Sequence, residues 1–182
     1  MIATLTLGAK LGTTAHLSPL LRKARRLGVE GEKLEQLAIE RGCDYYSCAT
    51  QSPSLGVPSH LFPNTELAIA LLNPALRYNP QTLRLGAAML SAEGNSPEEI
   101  AWLAKLERCE GIVRYIAEAG KKFEPQNPFW PALLQLLPKT RPPKSSVVPH
   151  PTRFVAITGL TRRGVEKVVE WIRPTILEKA RG

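Results

Sequence analysis

Hydrophobic and polar positions alternate with the period of amphipathic helices between residues 17 and 137. After Ser18, apolar residues recur every three or four positions until Gly28, and most of the other positions are basic. Such a run predicts a helix with one buried face, and a glycine directly after it predicts the helix end. The same spacing predicts helices over residues 31–41, 64–73, 80–91, 96–107, 109–119 and 128–137.

Proline marks several of the predicted helix starts. At four of these starts a capping residue directly precedes a proline; the capping residues are Ser18, Asn79, Ser96 and Asn127. A Ser or Asn side chain accepts a hydrogen bond from a first-turn amide, and proline fits the first helical position because it has no N–H to leave unpaired. Asn64 is predicted to cap a further helix. Glu99 has capping-box spacing from Ser96, and Gly120 is predicted to end the helix over 109–119.

Three segments depart from the helical pattern. Residues 43–63 contain three prolines and no period, and a loop of that length in a compact domain is often functional. Residues 138–151 contain five prolines, which predicts an extended linker. A strand is predicted from Arg153 to Thr158. The following residues 164–173 fit helical spacing, but their many β-branched side chains favour the second strand of a hairpin.

These patterns predict a mainly α protein, a multi-helix orthogonal bundle with a small C-terminal strand-containing appendix that is a β-hairpin or a βα unit. The expected divisions are an N-terminal arm (1–16), a helical domain (17–137), a proline-rich linker (138–151) and a basic appendix (152–182). The pattern does not determine whether the appendix packs on the bundle.

Composition narrows the class of protein. Hydrophobic residues at 43% and charged residues at 22% are typical of a globular chain. No apolar run approaches the 18 or so residues that a membrane-spanning helix needs, so no membrane partner is expected. Three cysteines without close spacing do not describe a secreted disulfide scaffold, and the N-terminus lacks a secretory signal pattern. A cytoplasmic location is therefore expected.

The net charge of +8 is unevenly distributed. Residues 1–29 contain five bases and no acid, and residues 139–182 contain ten bases and three acids. The middle of the chain therefore carries a net charge of −4. Two basic ends on an acidic body indicate a polyanionic partner, most often nucleic acid.

The basic ends supply the candidate phosphate contacts. They are Arg22, Lys23, Arg25, Arg26, Arg153, Arg162, Arg163, Lys167 and Arg173. The first four are predicted to lie on one face of the first helix, opposite its apolar residues, and Arg162 and Arg163 belong to a predicted turn. Phe154 could stack on a base, although a position in the core is the favoured interpretation. Neither RNA nor DNA is indicated over the other.

Residues 96–120 resemble a helix-turn-helix unit. The likeness lies in the E-I-A start at Glu99, followed by Ala104, and in Val113, Tyr115 and Ile116, which stand where a recognition helix keeps its core contacts. The segment carries five acids and three bases, and a helix that enters the major groove needs positive charge around it. A packed helix pair is therefore the favoured interpretation.

Metal and catalytic motifs are weak. Cys43 and Cys48 form one loose pair, with His60 downstream, whereas structural zinc sites usually show close cysteine pairs at two ends. The start of the chain lacks the lysine that must follow the second glycine of a phosphate loop. The segment FVAITGLTRRGVEKV resembles a strand–turn–helix of small GTP-binding domains, but no phosphate loop accompanies it. No metal, cofactor or catalytic residue is predicted, and the chain is not expected to be an enzyme.

The leading hypothesis is thus a non-enzymatic nucleic-acid-binding accessory protein, such as a subunit of a nucleoprotein assembly. One alternative is a helical adaptor that binds a protein through the acidic body and the 43–63 loop. A second alternative is a helix-turn-helix DNA-binding regulator that uses residues 96–120.

Overall fold

The computed structural model describes residues 18–46, 53–76, 78–141, 143, 148–158 and 168–175. Seven helices lie within these ranges: α1 Pro19–Arg26, α2 Glu32–Glu40, α3 Asn64–Leu71, α4 Pro80–Leu90, α5 Pro97–Leu106, α6 Glu110–Phe123 and α7 Phe129–Leu136. Two strands, β1 Val155–Thr158 and β2 Val168–Trp171, form one antiparallel sheet. The mainly α class with a small strand-containing C-terminal part is confirmed.

Three of the four predicted cap and proline pairs begin their helices. Main-chain amides of Leu21, Thr82, Glu98 and Glu99 donate to the side-chain oxygens of Ser18, Asn79 and Ser96, at distances between 2.7 and 3.3 Å. The starts after Ser18, Asn79 and Ser96 were predictable because the capping contact and the proline constraint are both local. At α7 the N-cap is Pro128 and not the predicted Asn127, although the Asn127 side chain accepts from the Phe129 amide at 3.0 Å.

Other boundaries also differ from the prediction. Asn64 is the first residue of α3 instead of its cap, and its side chain accepts from Arg41 at 2.9 Å. Helix α6 continues past Gly120 to Phe123. A Cβ on Gly120 would lie 2.3 Å from ring atoms of Trp130, so this glycine permits a close approach and does not end the helix. Arg153 belongs to a 3₁₀ turn, Pro151–Phe154, that precedes β1.

The C-terminal hairpin packs on the bundle. The pairing of Val155 with Trp171 fixes the register, and residues 168–171 are strand, as the β-branched content indicated. The buried Trp171 ring lies 4.8 Å from that of Trp130 between ring centroids, and Phe154 is 1% exposed, which confirms its position in the core. Aromatic contacts of this kind bury large areas, so the hairpin and the helices share one hydrophobic core.

The described parts of residues 138–151 run along α6. The Arg114 guanidinium donates to the carbonyl oxygens of Leu137 and Pro138, and the Tyr115 hydroxyl donates to that of Pro149 at 3.0 Å. Carbonyl groups that have no strand partner are satisfied in this way. The proposed division at residues 138 and 151 stays a prediction.

None of the helices in the described ranges has both the length and the apolarity that crossing a bilayer requires.

Candidate nucleic-acid interface

Helix α1 presents an arginine face to solvent. Its apolar residues, including Leu21 and Ala24, are buried, whereas Arg22, Arg25 and Arg26 are exposed. Positions three and four apart lie on one side of a helix, so the three guanidinium groups share a surface. Helix α1 itself contains no acid. We call Arg22, Arg25 and Arg26 the arginine face.

Lys23 differs from its three basic neighbours. Its ammonium nitrogen lies 2.6 Å from a carboxylate oxygen of Glu66 in α3, and 5.8 Å from the ring centroid of Phe62. Both charged side chains are partly buried, so this ion pair attaches α1 to the bundle. The charge of Lys23 is thereby compensated within the fold.

Glu107 is a second contact that holds α1 on the bundle, and it acts at the start of the helix. This carboxylate is buried, and it accepts from the Leu20 amide at 3.0 Å and from the Asn73 side chain at 2.8 Å. A negative charge at a helix N-terminus is favourable because the first amides are unpaired and carry the positive end of the helix dipole. Together with Ser18, Glu107 satisfies two first-turn amides of α1.

Glu107 is not among the candidate residues that the sequence suggested, where it counts only as one of the five acids of residues 96–120. Its spacing from apolar residues could have indicated it. Glu107 comes four residues after Leu103 and three after Ala104, so it lies on the same, buried face of the helix. A carboxylate on the buried side of a helix needs a donor from elsewhere in the fold.

Arg25 also has a nearby acid. Its Nε atom lies 3.7 Å from a Glu30 oxygen, and both side chains are about two-thirds exposed. An exposed pair of this geometry contributes little, typically about 0–1 kcal/mol. A phosphate group can therefore replace Glu30 as the partner of Arg25.

The contact between Leu20 and Glu107 places the start of α1 beside the turn that follows α5. Lys105 in the last turn of α5 and Arg108 in the turn after it are exposed, and Arg108 has a positive φ of 56°. These two bases lie close in sequence to a residue that touches α1. They extend the set of candidate phosphate contacts beyond the nine residues that the sequence suggested.

The predicted tail contacts have different environments. Arg153 is exposed on the 3₁₀ turn before β1. Arg173 forms an ion pair with Glu124. Arg162, Arg163 and Lys167 lie outside the described residues, so the structure places none of them relative to α1.

Glu124 collects several donors at the junction of tail and bundle. It accepts from Arg173, from the Trp130 indole at 2.8 Å and from Asn127 at 3.2 Å. Its burial acts to raise the pKa, but these hydrogen bonds and the charge of Arg173 outweigh burial and hold the pKa below the ordinary carboxyl value. The pair Arg173–Glu124 therefore joins the tail to the end of α6.

The two cysteines in the described residues are buried and unreactive in character. Burial, with a smaller contribution from the charge of Asp44, raises the pKa of Cys43 to about 12. Burial also raises the pKa of Cys109. A thiol with a raised pKa is a poor nucleophile and a poor metal ligand, since both roles need the thiolate. Within the described ranges, no cluster of histidine, cysteine and acidic residues could hold a metal ion.

Comparison of the chain with protein-family models, with curated proteins and with solved structures gives no match.

Proposed function

We propose that the protein is a non-enzymatic nucleic-acid-binding accessory protein that contacts the phosphate backbone through the arginine face of α1. The observation that supports this proposal is the exposure of Arg22, Arg25 and Arg26 on one side of a helix that is attached to the bundle by Lys23 and Glu107. Guanidinium groups bind phosphate oxygens through charge-assisted hydrogen bonds.

The arrangement favours backbone contacts over base recognition. A helix that reads bases needs side chains that reach into a groove, whereas three exposed arginines on one short helix suit a row of phosphates. Such contacts position a protein on a nucleic acid without selecting a sequence. Lys105 and Arg108 would extend the contact beyond the start of α1.

The tail provides a second set of proposed contacts. Arg153 is exposed, and Arg162, Arg163 and Lys167 retain the role that the sequence suggested. Arg173 is the weakest member of this set because Glu124 already neutralises it within the fold. We therefore rank the arginine face first and Arg173 last.

The experiment is a binding titration with labelled single-stranded RNA, single-stranded DNA and duplex DNA at about 0.1 M salt. Substitution of Arg22, Arg25 and Arg26 with glutamine should lower the affinity by about 100- to 500-fold at this salt concentration, because each lost phosphate contact changes the slope of log K against log salt by about 0.7–0.9. A matched control replaces three other exposed bases, Lys33, Lys121 and Lys122, with glutamine.

Both triple variants have the same net charge, so a general charge effect would lower the two affinities equally. The proposal requires a large loss in the arginine variant only. Absence of binding by the unmodified protein to all three probes, or equal losses in the two variants, would contradict it.

A protein partner is the second candidate, and exposed apolar side chains favour it. Trp102 on α5 is 62% exposed and Leu106 is 47% exposed one turn later. In the 43–63 loop, Tyr45 and Leu61 are 65% and 44% exposed. Large exposed aromatic residues are enriched at protein interfaces. This function would be supported if the full chain binds a protein partner and Trp102→Ala abolishes that binding while nucleic-acid binding is unchanged.

The helix-turn-helix alternative has less support from the surroundings of α6. Segments 134–138 and 148–154 lie along that helix through Arg114 and Tyr115. A recognition helix needs an open outward face to enter the major groove. The exposed residues left on α6 are Glu118, Lys121 and Lys122.

A further inference from the structure

An open cleft of about 850 Å³ lies between the end of α2, the loop over residues 54–59, the turn after α4 and the two tail residues Pro174 and Thr175. Its volume is in the range of small-molecule sites, about 300–1,000 Å³. The walls include the apolar side chains of Leu37, Val57 and Ala92. Part of the 43–63 loop lines this cleft, and that loop has no part in the proposed phosphate contacts of the arginine face.

Arg41 is the one base that lines the cleft among the described residues. Its guanidinium donates to the Asn64 side chain at 2.9 Å and makes a long contact of 3.5 Å with the Val57 carbonyl. No carboxylate in the described ranges lies within ion-pair distance of it. The side chain is partly buried, and this burial lowers its pKa although the charge of Glu40 acts in the opposite direction.

The positive charge of Arg41 is therefore held by neutral oxygen atoms. A guanidinium group has five N–H donors in a planar fork, and the two contacts use only two of them. A partly desolvated guanidinium of this kind is suited to a planar carboxylate, which can accept two parallel hydrogen bonds.

The acids of the cleft restrict the charge of a ligand. Glu40 is occupied, since its carboxylate accepts from the Leu55 amide at 2.8 Å and from Gln36 at 3.1 Å. Glu93 is exposed on the turn after α4. With two acids and one base, the cleft repels a dianion or a polyphosphate but can accept a single negative charge placed at Arg41.

The tail wall is closely fitted next to Arg41. The Thr175 amide donates to the Gly42 carbonyl at 2.8 Å, and Gly42 has a φ of 101°. A Cβ at position 42 would lie 2.1 Å from the Thr175 carbonyl oxygen. Only glycine fits this position, so any larger residue must displace Pro174 and Thr175 from the cleft.

We propose that the cleft binds a monoanionic carboxylate with an apolar body. Arg41 holds the carboxylate, and the body lies against Leu37, Val57, Ala92 and Pro174. The chemistry is that of a free organic acid or of the carboxyl end of a peptide with an apolar last residue. The proposal is independent of nucleic-acid binding, because none of the residues that line the cleft belongs to the arginine face.

Calorimetric titration of the full chain tests the proposal. The probes are the N-acetyl derivatives of alanine, leucine and phenylalanine, and the matched carboxamides, which have the same bodies without the charge. A pentapeptide that ends in leucine, with a free or amidated end, distinguishes a peptide source from a small acid. At least one acid should bind about tenfold more tightly than its amide, and inorganic phosphate should bind more weakly than that acid, since the acidic residues disfavour a second negative charge.

Three variants locate the site. Arg41→Gln should remove the preference for acid over amide, and Gly42→Ala should weaken both members of the pair by moving the tail wall. Lys33→Gln, an exposed base on α2, should change neither. The comparison of each acid with its carboxamide uses the unmodified protein, so it remains valid even if a variant folds poorly.

The proposal is overturned if no acid binds more tightly than its amide, if phosphate binds as tightly as the best acid, or if Arg41→Gln keeps the acid preference. The triple glutamine variant of the arginine face should retain acid binding. Failure of one proposal is therefore separable from failure of the other.

Discussion

Replacement of Glu107 with alanine should destabilise the protein more than removal of any exposed acid. The substitution deprives the Leu20 amide and the Asn73 side chain of their acceptor, and both contacts are buried. A buried donor without a partner costs about 1–3 kcal/mol, so the two together correspond to about 2–6 kcal/mol. That loss is a large part of the 5–15 kcal/mol by which domains are usually stable.

Chemical denaturation followed by circular dichroism measures this loss. Glu107→Gln should lie between alanine and the unmodified protein, because the amide oxygen accepts one hydrogen bond while its NH₂ group opposes the second donor. Glu118→Ala is the matched control. Glu118 is an exposed helical acid that pairs with Arg114, and its loss should cost about 0.5 kcal/mol or less.

Amide hydrogen exchange gives an independent test of the same contact. The Leu20 amide should be protected in the unmodified protein and should exchange faster in Glu107→Ala, because its acceptor is lost. Equal stability losses in Glu107→Ala and Glu118→Ala, or unchanged exchange at Leu20, would refute the role of Glu107 in fixing α1.

Two further predictions concern α6 and the tail. Gly120→Ala should destabilise the protein by about 1–3 kcal/mol because the new Cβ meets the buried Trp130 ring. Gly111→Ala in the same helix should instead stabilise the protein by about 0.5–1 kcal/mol, because alanine favours the helix and the nearest atom to the new Cβ lies 3.8 Å away. Denaturation curves should show opposite changes in the free energy of unfolding for the two variants. The pKa of Glu124 is lowered in the folded state, so its stabilising effect is present above the ordinary value of 4.5 and is lost as the pH falls below it. Arg173→Gln should lower stability near neutral pH and flatten this acid dependence, and an unchanged pH profile would exclude the ion pair as its source.

The sequence predicted features of the fold that depend on neighbouring residues. Ser18, Asn79 and Ser96 each cap a helix as expected, since a capping oxygen and a following proline act within one turn. The strand nature of residues 168–171 likewise followed from local β-branched content.

Features that depend on distant residues were not predictable in this way. Gly120 resembled a helix end, but its absent side chain accommodates Trp130, which comes ten residues later. Lys23 resembled its exposed neighbours, yet it pairs with Glu66 across 43 residues. Glu107 contacts Leu20 across 87 residues. Pattern and composition carry no information about which distant side chain supplies a partner.

The same limit applies to the candidate sites. The charge distribution identified α1, because residues 1–29 contain five bases and no acid and four of these bases lie in that helix. It did not separate Lys23 from the arginine face, since that distinction depends on the partner in α3. The cleft around Arg41 is assembled from four segments far apart in the chain, so no local pattern indicates it.

The salt dependence of nucleic-acid binding tests the role of the arginine face most directly. For single-stranded probes, the slope of log K against log salt should be smaller in magnitude by about 2 in the variant with glutamine at Arg22, Arg25 and Arg26, because three phosphate contacts of about 0.7 each are lost. The control variant at Lys33, Lys121 and Lys122 should keep the slope of the unmodified protein. An unchanged slope in the arginine variant, or an equal decrease in both variants, would contradict phosphate binding by this face.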